Sequence, residues 1–205
     1  ELLDGKRPSR MDFFTYMDDE IYRICVSGSH AKENPFQQYL DFLYELGELS
    51  EDEQKLYAGI GREFIQTIET TEMQKVYKMP ILYSFYNHGN IRLAVTDEEV
   101  LESWKEFFDT GTNWKDFPNV NTYEDYKKVT DKQHLSKAKR MPIRFLKASG
   151  KGFFVEKDGY ALALRDEIGD VVGNMAFGEQ MGDVLGYRSL EYYRRRYKKN
   201  RSEGD

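Results

Sequence analysis

The chain of 205 residues has one cysteine, three histidines and five prolines, and these shortages narrow its possible functions. A lone cysteine cannot form an internal disulfide, and it fits a reducing, cytoplasmic compartment. Within "EIYRICVSG", Cys25 reads as a small buried hydrophobe rather than a nucleophile. His30, His88 and His134 lie far apart in sequence, so no zinc site is expected. No apolar run approaches the ~20 residues of a membrane span, and no secretory signal opens the chain, so no membrane partner is expected. No G-x-x-x-x-G-K-[ST] loop occurs. "GIGREF" and "SGKGFF" carry glycines without the phosphate-cradling pattern, so no cofactor is expected in these residues. A chain that begins at Glu1 without an initiator Met reads as a segment of a longer protein.

Aromatic residues make up 15% of the chain, enough for a sizeable core, and 32% charged residues give a solvated surface. The net charge is −6 but unevenly spread. Lys132–Val155 holds seven basic residues and no acid, and Tyr187–Arg201 holds seven more against Glu191. Together the two windows carry +13, leaving −19 on the rest of the chain. Such separation points to a side facing a polyanion, or to a basic face docked on an acidic neighbour. A solvated tail plus a lysine-rich helix would give the same pattern.

Residues 1–70 read as a helical layer. In "RMDFFTYMDDEIYRICV", Met11, Phe14, Met17, Ile21, Ile24 and Cys25 recur at helical spacing and predict one amphipathic helix ending near Gly28. "SHAKEN" is a loop. Pro35 opens a second helix, "PFQQYLDFLYEL", stopped by Gly47. Ser50 caps a third, "SEDEQKLYAGIGREFIQTIETT", with Glu53 completing a capping box.

Met-Pro-Ile then occurs twice, in "VYKMPILYSFYNHGNIRLAV" and "AKRMPIRFLKASGKGFFVEKDGYALAL". Each copy predicts a helix opened by its proline (Pro80, Pro142), a Gly-containing turn, a β element and an acidic helix start. Thr96 with Glu99 makes a second capping box. Asp158-Gly159 between two apolar runs is a hairpin turn. Helix, turn, helix and hairpin is the order of a winged helix, whose helix before the hairpin lies against DNA. The expected fold is mainly α with short β-hairpins, a helical layer followed by one or two winged-helix-like units. Its expected domains are 1–70, a first Met-Pro-Ile unit at 71–131, and a second at 132–205 with a hairpin wing and a basic C-terminal helix. "EIGDVVGNMAFGEQMGDVLGY" reads as a helical region interrupted by glycines.

The candidate DNA contacts are Lys137, Lys139, Arg140, Arg144, Lys147 and Lys151, with Lys157 at the wing tip and Arg194, Arg195 and Arg196 in the tail. Their contacts would be with phosphates, salt-sensitive and largely independent of sequence. His134 opens this basic region and reads as a helix-start residue. Two rivals stand beside this reading. One is a protein–protein module whose basic face meets an acidic partner. The other is a metal-dependent nuclease using acids near the hairpin, Asp158 and Asp166.

"GKRPSRMDFFTYMDDEIY" and "IGREFIQTIETTEMQKVYKMPILYSFYNHGNIRLAVTDEEVLESWKEFF", and more loosely "KAKRMPIRFLKASGKGFF", resemble the C-terminal accessory region of bacterial DEAD/DEAH-box superfamily II helicases. These are the restriction-subunit-like and DNA-repair helicases. The resemblance implies two upstream motor domains in the same chain that use ATP and Mg²⁺ to work on DNA. It carries over no ATP-contacting residue. What it leaves to these residues is a non-catalytic role, DNA contact or docking on the motor.

Overall fold

The structure is a computed structural model describing residues 7–27 and 34–202. Gly28, His30 and most of the "SHAKEN" loop lie outside the described residues. In chain order the helices are α1 (Arg10–Tyr16), α2 (Asp19–Cys25), α3 (Tyr39–Glu45), α4 (Glu51–Tyr57), α5 (Ile60–Thr70), α6 (Lys78–Tyr86), α7 (Asp97–Asp109), α8 (Tyr123–Lys127), α9 (Asp131–Ala138), α10 (Arg144–Ser149), α11 (Gly169–Val172) and α12 (Met175–Ser202). The strands are β1 (Ala94–Val95), β2 (Phe154–Val155) and β3 (Leu162–Leu164). The fold is mainly helical with one small antiparallel sheet.

Two compact units form, and their boundaries differ from the three expected segments. Unit 1 joins the chain up to Thr70 with the chain from Asp170 onward; unit 2 is Thr71–Gly169. The C-terminal helix α12 therefore belongs with the N-terminal layer, packed on α1, α4 and α5, and not with the second Met-Pro-Ile segment.

In unit 1 the expected first helix is two helices. Met17 is extended (ψ 138°), and Asp18 caps α2 by accepting from the Glu20 and Ile21 amides. An aspartate that can satisfy free helical amides starts a new helix where periodicity alone predicts continuation. Ile21 and Ile24 consequently stand 53% exposed. Cys25 is half-buried against the cluster of Phe14, Phe36 and Tyr187. Helix α3 begins four residues after Pro35, and Phe36 is buried ahead of it. The third expected helix breaks between α4 and α5. A Cβ on Gly61 would lie 2.1 Å from a Leu56 methyl, so any side chain there would require the Leu56 side chain to shift. The Ser50/Glu53 capping box is present as read.

Helix α12 runs 28 residues straight through the glycine-rich stretch. Intrinsic propensity disfavours those glycines in a helix, and packing overrides it. Met11 of α1 lies over Gly186, its Sδ 3.4 Å from where a Cβ would stand. One turn away, Asp183 receives α1. Its carboxylate accepts from the Arg10 and Met11 amides and from the Arg10 guanidinium at 2.8 Å.

In unit 2, α6 packs on α7, and α7 on α9. Pro80 sits in the first turn of α6, where its missing N–H costs nothing. The Thr96/Glu99 capping box starts α7 as read. The core runs through Tyr77, Trp104, Phe108, Phe117 and Tyr126. The two Met-Pro-Ile segments do not build separate β elements. Their strands form one sheet of order β1-β3-β2, with Val95 opposite Leu162 and Phe154 opposite Leu164. All three residues of the central strand β3 are buried.

Candidate nucleic-acid interface

The basic window begins on α9. Thr130 and Gln133 make a further capping box at its start. Pro142 does not open a new helix, contrary to the sequence reading. Ala138, Lys139, Ile143 and Arg144 keep right-handed helical dihedrals, and Lys139–Ile143 form a π turn joining α9 to α10. A widened turn accommodates the ring and the missing amide, and burial of Pro142 and Ile143 holds it in place. Residues 131–149 are thus one continuous helical segment with a π turn inside it.

That segment has two sides. His134, Ala138, Pro142, Ile143 and Leu146 are buried, while Lys132, Lys139, Arg140 and Arg144 are exposed. His134 is core material, 2% exposed, with its ring against Phe117 at 4.9 Å and Tyr126 at 5.5 Å. Burial holds its imidazole below the ordinary value, helped by nearby Lys105 and opposed by Asp131 and Asp109.

After α10 the chain turns through Lys151 and Gly152, both with positive φ, into β2. Gly150 is tight. A Cβ there would fall 2.3 Å from the Phe154 ring and 2.5 Å from the Leu146 carbonyl oxygen. The hairpin closes as read, with the Tyr160 amide donating to the Lys157 carbonyl at 3.1 Å and Gly159 at φ +82°. Lys157, Asp158, Gly159 and Tyr160 are exposed.

The ten candidate cations separate by their partners. Arg140, Arg144, Lys151 and Lys157 are exposed and have no acidic partner among the described residues. Lys137 is half-buried, its Nζ 4.9 Å from the Tyr77 ring centroid. Burial pushes its amine down, and the nearby cations Arg140 and Lys75 push it further. Lys75 is exposed and was missed from the sequence, because it lies before the basic window. Lys139 is paired with Asp97 at 2.6 Å, and Lys147 with Glu156. Lys78 and Arg92 of the first Met-Pro-Ile segment are also engaged, Lys78 with Thr71 and Arg92 with Glu99.

The tail arginines lie in unit 1. Arg194 donates to the Phe14 carbonyl, pairs with Asp19 and covers the Phe14 ring at 4.8 Å, so it is a packing residue. Arg195 faces Glu191 at 3.7 Å, and Arg196 donates to the Tyr192 hydroxyl. Arg188, with its guanidinium on the Glu69 carbonyl at 2.7 Å, is 7% exposed. Charge density in the sequence cannot distinguish Arg188 and Arg194 from free arginines, because their partners are a hundred or more residues away.

Unit 1 also has an open cleft of about 670 Å³ lined by Tyr44, Leu49, Gln54, Tyr57 and Arg62. Tyr44 and Tyr57 stack at 4.6 Å, and the Arg62 guanidinium lies over Tyr57 while pairing with Asp41. Tyr44 and Leu46 are each 59% exposed.

Asp158 and Asp166 are both exposed. Among the described residues no group of three or more His, Cys, Asp or Glu side chains could hold a metal ion, and no helix is long and apolar enough to cross a membrane. No protein-family model, curated protein or solved structure matches the chain.

Proposed function

We propose that residues 71–169 are a nucleic-acid-binding unit, and that the chain is a non-catalytic accessory part of an ATP-dependent DNA helicase. The observation that carries this is Arg140, Arg144, Lys151 and Lys157, exposed and without acidic partners among the described residues, on one helical segment and the hairpin that follows it. Four exposed cations spaced along such a surface suit a run of phosphates, with counterion release supplying the affinity.

The topology supports a single winged helix in place of two. Helix α6, strand β1, helix α7, the segment α9–α10 and the hairpin β2–β3 follow one another, with β3 between β1 and β2. In that arrangement α9–α10 is the helix laid against the groove and residues 157–160 are the wing. The short α8 and its flanking turns, inserted between α7 and α9, are an addition to the plan.

The helicase role rests on the resemblance in sequence. Unit 1 would dock on the upstream motor domains, and its exposed Ile21, Ile24, Tyr44 and Leu46 favour a protein-contact role for that unit. A salt series with labelled DNA tests the reading. An affinity that falls linearly with log salt, with a slope worth about three or four phosphates, is expected. Absence of binding at low salt would transfer the basic face to an acidic protein partner.

A further inference from the structure

Two exposed aromatic rings stand on this same helix–hairpin segment, each under a cation without an acidic partner among the described residues. Phe145 is 43% exposed, with the Arg144 guanidinium 5.2 Å from its ring centroid. Tyr160 is 44% exposed, with Lys157 Nζ 5.6 Å from its centroid. Phe145 lies between buried Ile143 and Leu146 in sequence yet points out of the core they enter.

The other cation–ring pairs of unit 2 differ. Tyr77 under Lys137 and Phe153 under Arg165 are buried core rings. Trp114 and Tyr123, beside Lys115 and Lys127, pack on each other at 6.0 Å, and Tyr123 stacks further on Tyr126. Phe145 and Tyr160 contact no other aromatic ring among the described residues.

A part-exposed ring with a cation over it matches what a single nucleic-acid strand presents, a base to stack on the ring's other face and a phosphate to meet the cation. An uninterrupted duplex offers the phosphates but keeps its base faces inside the stack. We propose that Phe145 and Tyr160 are stacking positions for unpaired bases, so that this surface takes a single strand or a single-strand/duplex junction in preference to continuous duplex. Arg144 and Lys157 hold the phosphates flanking the stacked bases. The inference rests on the nucleic-acid reading above and names its ligand class.

The test compares the chain's affinity for three labelled probes, an oligothymidine, an abasic deoxyribose-phosphate strand of equal length, and a blunt duplex. Oligothymidine is expected to bind about tenfold or more tighter than the abasic strand, since base–aromatic stacking contributes on that scale per base. The double variant Phe145→Ala/Tyr160→Ala is expected to lose that advantage while keeping the salt slope, because no phosphate contact is removed. Phe145→Trp/Tyr160→Trp should retain it. Equal affinity for oligothymidine and the abasic strand, or full single-strand affinity in the alanine variant, overturns the inference and leaves the nucleic-acid reading standing. Failure to bind any of the three at low salt overturns both.

Discussion

Asp183 caps the first helix from 173 positions away along the chain, taking the Arg10 amide at 3.2 Å and the Arg10 guanidinium at 2.8 Å. The Met11 amide joins at 3.0 Å, and Ser9 takes the Asp12 amide, so the first three amides of α1 are all satisfied. The far side of the Arg10 guanidinium meets Glu69 at 2.5 Å, and Arg10 is fully buried. Removing one partner of a buried ion pair costs about 3–5 kcal/mol. Asp183→Ala is therefore expected to lower unfolding free energy by about 3 kcal/mol or more, which urea denaturation would measure. A loss no larger than that of an ordinary surface substitution would show that Glu69 alone satisfies Arg10.

His134 gives a pH prediction with a defined sign. Its folded value is depressed from the ordinary 6.5 by burial. A depressed folded value means the unfolded chain binds the proton more readily, so stability is complete above 6.5 and declines as pH falls below it. Thermal scans should show Tm dropping as pH falls from about 7 to 5.5. His134→Phe, which keeps the ring against Phe117 and Tyr126, should flatten that drop. At lower pH, Glu53 adds a second decline. Burial alone would raise its carboxyl, but hydrogen bonds from Arg7 and Ser50 outweigh burial and hold it below 4.5.

The basic residues should divide functionally as they divide structurally. Arg140→Glu/Arg144→Glu is expected to weaken DNA binding and reduce the salt slope by about two, with helicity unchanged. Arg194→Ala should do the reverse, lowering Tm through loss of its contacts with Phe14 and Asp19 while leaving the slope unaltered. Glu156→Gln, which releases Lys147 and removes a like charge to phosphate, should strengthen binding several-fold.

Gly150→Ala introduces a methyl group against a backbone carbonyl and the Phe154 ring. Neither can yield freely, and overpacking of this kind costs about 1–3 kcal/mol. Chemical denaturation should register that loss. Because the clash lies where α10 enters β2, Gly150→Ala should also weaken DNA binding at temperatures well below its Tm.

The local signals in the sequence translated directly into structure. Ser50 with Glu53, Thr96 with Glu99 and the turn at Asp158-Gly159 each depend on neighbours within a few residues, and each forms as read. Local sequence and structure part where a distant partner decides. Pro142 predicts a helix start on local grounds, but burial keeps it inside a continuous segment. Gly178 and Gly182 predict interruption, and packing on α1, α4 and α5 keeps α12 whole. The two Met-Pro-Ile segments look like repeats until Val95 is seen paired with Leu162, which makes them halves of one sheet. For the site, sequence located the cations but could not say which were already spent. Phe145 and Tyr160 carried no periodic signal apart from the core aromatics around them.

Unit 2 lies between the two stretches of chain that make unit 1. On a ribosome this imposes an order of events. Helices α1, α4 and α5 emerge before unit 2, yet Asp183, Gly186 and the rest of their α12 partner come more than a hundred residues later. At about 5–20 residues per second the early helices wait many seconds with apolar faces uncovered, while residues 71–169 can finish folding in between. A ribosome stalled after Gly169 has cleared its exit tunnel would display a complete unit 2 tethered to an unfinished neighbour. Helix α12, made after unit 2, is the one that closes unit 1.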